Sequence, residues 1–319
     1  PWASKQMGEY NGAPVPVMHA CGHDTHVAIL MGVAEVLNAV KSDLRGTIKF
    51  IFQPAEEGAP PGEEGGAALM VKEGVVKGMD AIFGLHINSK TEAGKVRYRP
   101  AGIMAAVNSF NIKIKGVQTH GSTPWTGVDP IVTAAQIINN AQTVVSRSLP
   151  LTKAAAVLTF GKIAGGVRSN IIPEEVELVG TIRTLDAGMR QTLFDRFETI
   201  VKNTGESNGA EAILTINKGY PITYNDPTLT AMMAETFTEV AGAANVESSM
   251  DAITGAEDFS FFQEEIPGLY FFIGGMRVGQ DPVTAAPHHT PDFYVDDSGL
   301  LNGIKLLSRM AVDFGEKGK

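Results

Sequence analysis

The side chains of this sequence that could do chemistry fall in a few short clusters. The run Met18-His19-Ala20-Cys21-Gly22-His23-Asp24-Thr25-His26 holds the only cysteine and three of the seven histidines. The run Gln53-Pro54-Ala55-Glu56-Glu57-Gly58 sets two carboxylates side by side. The other histidines are His86, His120 and the pair His288-His289, so all seven lie in four motifs rather than scattered over a surface. A thiolate, imidazoles and carboxylates together form the donor set of a transition-metal hydrolase.

Each group suggests a role. Cys21 reads as a soft thiolate ligand with His23 beside it, although a cysteine can also be a small buried hydrophobe. Asp24 and His19 are candidates for fixing the tautomer and geometry of those ligands. His26 falls on a helix face and reads as structural. Adjacent carboxylates point apart, so one of Glu56 and Glu57 can ligate while the other takes a proton from an attacking water. Like-charge repulsion and partial burial would raise that base's pKa toward working pH. The plainer alternative is two solvated glutamates in a turn. His86 follows Gly84-Leu85, and His289 lies in the rigid turn Pro287-His288-His289-Thr290-Pro291-Asp292-Phe293. Cys21, His23, Glu57, His86 and His289 make five ligands, enough for two divalent ions if a thiolate or carboxylate bridges them. Such a pair polarises a carbonyl and generates hydroxide at neutral pH. His120, in Gly116-Val117-Gln118-Thr119-His120-Gly121-Ser122-Thr123-Pro124, is remote in sequence and would reach the site by domain closure or from another subunit. Asn170 and Arg183 are candidates for clamping a substrate carboxylate, for which the planar guanidinium fork is suited.

The pattern of elements places these motifs. Asp24 or Thr25 is expected to cap a helix running to about Val40, with Val27, Leu30, Met31, Ala34 and Leu37 on one face. Thr47–Phe52 reads as a buried strand stopped by Pro54, which puts the carboxylate pair just past its carboxyl end. Ala81–His86 reads as a second such strand ending at His86, and in open α/β sheets ligands collect at that edge. The Gly/Pro-rich stretch Ala59–Gly66 is expected to loop over the site mouth, unless it is only a solvated turn. From Ser109 the residues alternate with period two. The order there is strand 109–115, helix 129–147, strands 155–163 and 176–185, helix 187–203 and strand 212–217. That is the β-α-β-β-α-β order of a ferredoxin-like unit. Helix 226–240, strand 269–273 and helix 298–314 return to α/β character. The expected domains are therefore 1–104 and 220–319 as two parts of a catalytic domain, with 105–219 inserted between them.

Composition narrows the function. The 319 residues are 44% hydrophobic and 19% charged, an ordinary globular balance long enough for two cores. A net charge of −9 disfavours nucleic acid as a partner. No apolar run approaches the roughly 18 residues of a membrane helix. One cysteine excludes an intramolecular disulfide framework, and a thiol used as a ligand favours a reducing, cytoplasmic setting. Pro1 is not an initiator, so upstream residues are expected, and a periplasmic or secreted location stays open with them.

Taken in order, His19–His26, Gln53–Gly58, Gly84-Leu85-His86, His120–Pro124, Asn170-Ile171-Ile172-Pro173, Gly255-Ala256-Glu257-Asp258-Phe259 and His289–Phe293 resemble the dinuclear metal-dependent amidohydrolases. That family includes hippurate hydrolase, N-acyl-amino-acid aminoacylases, auxin-conjugate hydrolases and related carboxypeptidases. The resemblance spans the chain. It implies a zinc-peptidase-like α/β catalytic domain, a mixed sheet with helices on both faces, carrying an inserted ferredoxin-like lid and dimerisation domain. It implies Cys21, His23, Glu57, His86 and His289 as metal ligands, with His289 preferred to His288 by its place before Thr290-Pro291. Glu56 becomes the general base, His120 steadies the oxyanion across a homodimer, and Asn170 and Arg183 bind the substrate's free carboxylate. The implied cofactors are two divalent ions per subunit, Zn²⁺ or Mn²⁺ first, with Ni²⁺ or Co²⁺ as alternatives. Relatives carry a further strand and helix before the first motif, and the 59–66 loop is longer than in many of them.

The expected reaction is hydrolysis of an N-acyl amino acid. Three alternatives remain beside it: a dipeptidase, a hydrolase using Cys21 as nucleophile with His23 or His26 as base, and an inactive binding relative.

Overall fold

The computed structural model describes residues 4–60 and 62–318. The chain divides into two compact units. One runs to Ala101 and takes up again in Asn225–Asp251 and from Glu265 onward. The other comprises Gly102–Tyr224 with Ala252–Glu264. Residues 252–264, expected with the second part of the catalytic domain, thus pack with the inserted unit.

The first unit opens with a hairpin, β1 (Met7–Tyr10) and β2 (Ala13–Pro16), turned through Asn11 and Gly12, both at positive φ. Helix α1 (His23–Ala39) follows, then a short α2 (Gly66–Lys72). Strand β3 (Ile82–Glu92) and β4 (Val96–Arg97) come next. The expected strand Thr47–Phe52 is not one. The segment has no regular secondary structure and pairs with no strand among the described residues, and Phe50 and Phe52 stand exposed. An apolar run becomes a strand only where a neighbour completes its ladder, and local pattern cannot see that neighbour. In the expected loop Ala59–Gly66, Pro61 lies outside the described residues; Gly66 already begins α2, and Glu64 pairs with Lys72 at 2.6 Å.

The inserted unit starts with β5 (Ala101–Met104), β6 (Ala106–Lys115) and the two-residue β7 (Thr119–His120). Then come α3 (Pro130–Thr143), β8 (Ala156–Gly165), β9 (Ile171–Ile172), β10 (Glu175–Thr184), α4 (Ala187–Ser207), β11 (Glu211–Lys218) and β12 (Thr223–Asn225). The four long strands form an antiparallel sheet in the order β11-β6-β10-β8. Their alternation buries Phe110, Ile112, Ile114, Leu178 and Ile182 against Ile137, Leu193 and Phe197 of the two helices. Both helices begin as their sequences suggest. The Asp129 carboxylate accepts from the Ile131 and Val132 N–H groups ahead of Pro130, and Asp186 accepts from Met189 N–H.

The chain then returns through α5 (Pro227–Ala241), β13 (Val246–Glu247), α6 (Ser260–Glu265), β14 (Gly268–Met276) and α7 (Leu300–Lys317). A mixed sheet runs β13-β4-β14-β3, with β14 parallel to β3 and antiparallel to β4. Every residue of β14 is buried, as a central strand requires. Helices α1, α5 and α7 share one cluster with Leu85, Ile87, Leu269, Phe271 and Ile273. Those residues alternate onto one side of the sheet, so among the described residues the long helices cover one face instead of both. The opposite face carries His86, with Phe272 beside it (6.4 Å between rings).

Candidate metal centre

Local backbone geometry aims the ligand side chains. Gly22, between Cys21 and His23, holds φ 98°, and a Cβ there would lie 2.5 Å from Ile87 Cγ2 of β3. Only glycine meets both demands, so the first cluster passes tightly over β3 and enters α1 at His23. Neither Asp24 nor Thr25 caps that helix: Gly22 occupies the cap position, and the buried Thr25 hydroxyl donates to Gly22 O (2.6 Å). Glu56 and Glu57 sit in a turn flanked by Ala55 (φ 54°) and Gly58 (φ 109°), closed by Gly58 N–H donating to Ala55 O (3.2 Å). His289 also has positive φ (63°), and its N–H donates to Ala20 O (2.7 Å), tying the last motif to the first.

His86 lies in the middle of β3 and not at its end. The strand continues to Glu92 with Leu85, Ile87, Ser89 and Thr91 buried in alternation. The polar residues after His86 concealed that the alternation continues.

The five expected ligands and Glu56 come together. Cys21 Sγ is 3.4 Å from His86 Nε2. Ligand atoms of Cys21, His23 and His86 lie within 4.8 Å of one another, as do those of Cys21, Glu57 and His289, and those of His23, Glu56 and Glu57. Glu57 Oε1 is 3.2 Å from His289 Nε2, and Glu56 Oε2 is 3.7 Å from His23 Nε2. Burial pushes the His86 imidazole down to about 3, only partly opposed by its contact with the Ile87 carbonyl. Burial also lowers His23, against the pull of Glu57. Both rings are therefore neutral near pH 7, with lone pairs available to a cation. His86 Nδ1 is 2.6 Å from Ile87 O, an arrangement that puts the proton on Nδ1 and frees Nε2 on the Cys21 side.

The outer candidates are less engaged. His19 and Asp24 are exposed and act on His23 through charge, in opposite directions. In the inserted unit, β7 pairs with β9 and Gly121 N–H donates to Asn170 O (2.8 Å), which brings the His120 and Asn170 loops together. His120 Nδ1 accepts from Ser122 N–H (3.1 Å). Arg183 faces Val107 and Val157 near the Thr184 end of β10, eight residues beyond Glu175. Two residues drawn into the centre were not expected there: His26 and His288, whose rings flank His86 at 4.5 and 5.3 Å between centroids. Their spacing beside His23 and His289 was the available signal.

The sequence profile described as peptidase family M20/M25/M40 matches residues 1–313. The chain belongs to this family. It is 36% identical over 310 residues to thermostable carboxypeptidase 2 of Saccharolobus solfataricus, covering 97% of this chain and 76% of that protein. It is 34% identical over 326 residues to the N-acetyl-L-cysteine deacetylase of Bacillus subtilis, covering 100% and 72%. Among solved structures, the Bacillus subtilis YXEP protein, a dinuclear metal-binding peptidase of family M20, superposes with a TM-score of 0.76 at 30% identity, covering 94% of this chain and 74% of that one. This M20 chain is accordingly a hydrolase acting on amide bonds. Its donors fit two divalent cations: the triads overlap at Cys21, so the thiolate is within reach of both sets. No helix among the described residues is long and apolar enough to cross a membrane.

Proposed function

We propose that the protein hydrolyses the amide bond of N-acyl amino acids, releasing a carboxylate and a free amino acid. The observation that carries this reading is the placement of the adjacent glutamates: both approach His23, at 3.7 Å for Glu56 and 3.8 Å for Glu57, while Glu57 also lies 3.2 Å from His289. Cys21, His23, Glu57, His86 and His289 would hold two divalent ions, Zn²⁺ or Mn²⁺ by the mixed sulfur, nitrogen and oxygen donors, with Ni²⁺ and Co²⁺ as substitutes. Such ions polarise a scissile carbonyl and lower the pKa of water. Glu56 takes the proton of the attacking water and delivers it to the leaving nitrogen. His120 donates to the oxyanion, with Ser122 N–H on its Nδ1 favouring the Nε2–H tautomer. Asn170 and Arg183 recognise the substrate's free carboxylate, the planar guanidinium fork being suited to it. The inserted unit serves as a ferredoxin-like lid and dimerisation domain. Its strand β8 forms one edge of the sheet, and Trp125 (79% exposed), Ile163 (57%) and Val167 (88%) leave apolar surface for a second copy.

The Cys21–His86 contact at 3.4 Å favours a second reading, a thiol nucleophile with its base. An imidazole pushed down to about 3 is a poor base near pH 7, which weighs against it. Assay of N-acetyl, N-benzoyl and indole-acetyl amino acids with and without chelator separates the two. The metal reading predicts loss on chelation, recovery with Zn²⁺ or Mn²⁺, and Glu56→Gln that keeps its ions but loses at least about a hundredfold in turnover. Undiminished turnover in Glu56→Gln would remove the base assignment, and activity indifferent to chelator would favour the thiol.

A further inference from the structure

Among the described residues, strand β3 is the last strand of its sheet, with β14 paired to it on one side. The outer edge of such a strand normally presents bare N–H and C=O groups. Here imidazoles serve that edge. Ile87 N–H donates to His26 Nε2 (2.9 Å), and Ser89 N–H, two residues on and so on the same edge, donates to His288 Nε2 (3.2 Å). The carbonyl of Ile87 between them is met by His86 Nδ1 (2.6 Å).

Each of the two rings also belongs to a ligand-bearing segment. His26 stands one turn after His23 on α1. His288 precedes His289, and its Nδ1 is 3.0 Å from Cys21 O. With Nε2 accepting from Ser89, the Nδ1 proton is free to donate to that carbonyl. One ring therefore joins the His23 helix to β3, and the other joins the Cys21 loop and the His289 turn to β3.

We propose that His26 and His288 are positioning residues of the metal centre: as hydrogen-bond acceptors on the free edge of β3, they set the placement of His86 relative to Cys21, His23 and His289. Neither ring supplies a ligand. Each supplies the acceptor that a missing neighbouring strand would otherwise provide, and an apolar side chain of similar size would leave an amide without a partner. The inference rests on reading His86 as a ligand.

The test uses His26→Leu, His288→Leu and His26→Gln in the full chain, with Zn²⁺ as the probe. Zinc affinity is measured by competition with a chelating dye, thermal unfolding is followed in parallel, and backbone hydrogen exchange at Ile87 and Ser89 is measured without metal. The leucine variants should lose ten- to a hundredfold in zinc affinity, the usual cost of removing a group that orients a ligand. The Ile87 amide should exchange faster in His26→Leu and the Ser89 amide in His288→Leu. His26→Gln, whose side-chain oxygen reaches the same place, should regain most of both. Wild-type affinity with protected amides in the leucine variants overturns the proposal. So does an affinity loss that merely tracks global unfolding and that glutamine fails to restore. If leucine prevents folding, His26→Gln against the shorter His26→Asn carries the same contrast, and equal zinc affinity in that pair overturns it. A wild-type chain that binds no divalent ion would instead remove the ligand reading, while the exchange rates would still decide whether the rings secure the edge.

Discussion

Replacing Gly22 with alanine tests whether the first cluster is held in place by its backbone. The residue sits at φ 98°, where a side chain costs about 1–3 kcal/mol. The added Cβ would lie 2.5 Å from Ile87 Cγ2, about 0.9 Å inside the 3.4 Å at which ordinary contact begins. Ile87 is fully buried and cannot turn away, so either the Cys21–His23 segment or β3 must give, at about 1–3 kcal/mol for overpacking. The total is about 2–6 kcal/mol, and the displacement falls between two ligands and beside a third. A misplacement near 1 Å at a reacting centre costs about a hundredfold in rate. Gly46→Ala is the control: its φ is 92°, but nothing lies within 4 Å of the new Cβ, so it carries the backbone cost alone. Thermal unfolding without metal, followed by zinc titration and turnover, reads both effects. Gly22→Ala should unfold several degrees below Gly46→Ala and bind zinc more weakly. If the two unfold together and Gly22→Ala binds zinc as the wild type does, the tight passage over Ile87 does not position the site.

Other outcomes follow from the same geometry. His120→Ala should lower kcat by about 10²–10³ with zinc content unchanged, as for loss of an oxyanion donor; an unchanged kcat on the best substrate would remove that role. Arg183→Ala should raise KM for substrates with a free carboxylate and leave their amides unaffected, and an equal change for both would dissociate Arg183 from carboxylate recognition. Asp313 is buried on α7, accepts from Thr236 of α5 and pairs with Arg309. Asp313→Ala should cost about 2 kcal/mol by stranding the Thr236 hydroxyl, and unfolding at the wild-type temperature would show that the α5–α7 contact does not depend on it.

Much of the centre was legible in the sequence because donor identity is local. A thiol, paired carboxylates and clustered histidines announce themselves without knowledge of the fold, and Cys21, His23, Glu57, His86 and His289 do converge. The element order between 109 and 217 was readable for a similar reason, since period-two alternation and aspartate caps such as Asp129 and Asp186 are short-range signals. What escaped depends on partners distant in the chain. Thr47–Phe52 has the composition of a strand but pairs with none among the described residues. The strand bearing His86 runs on past it because β14 continues alongside. Gly22 is required because a Cβ there would run into Ile87, 65 residues away. His288 read as the spare member of a pair because its backbone partners at Cys21 and Ser89 lie 267 and 199 residues off.

Anomalous diffraction from crystals grown with Zn²⁺, collected on both sides of the zinc absorption edge, bears most directly on the central claim. Two peaks per chain are predicted, bounded by Cys21, His23, Glu57, His86 and His289, with Glu56 near them and outside the ligand distance of about 2.0–2.2 Å for a carboxylate oxygen. A single peak, or zinc seated away from Cys21 and His289, would contradict it.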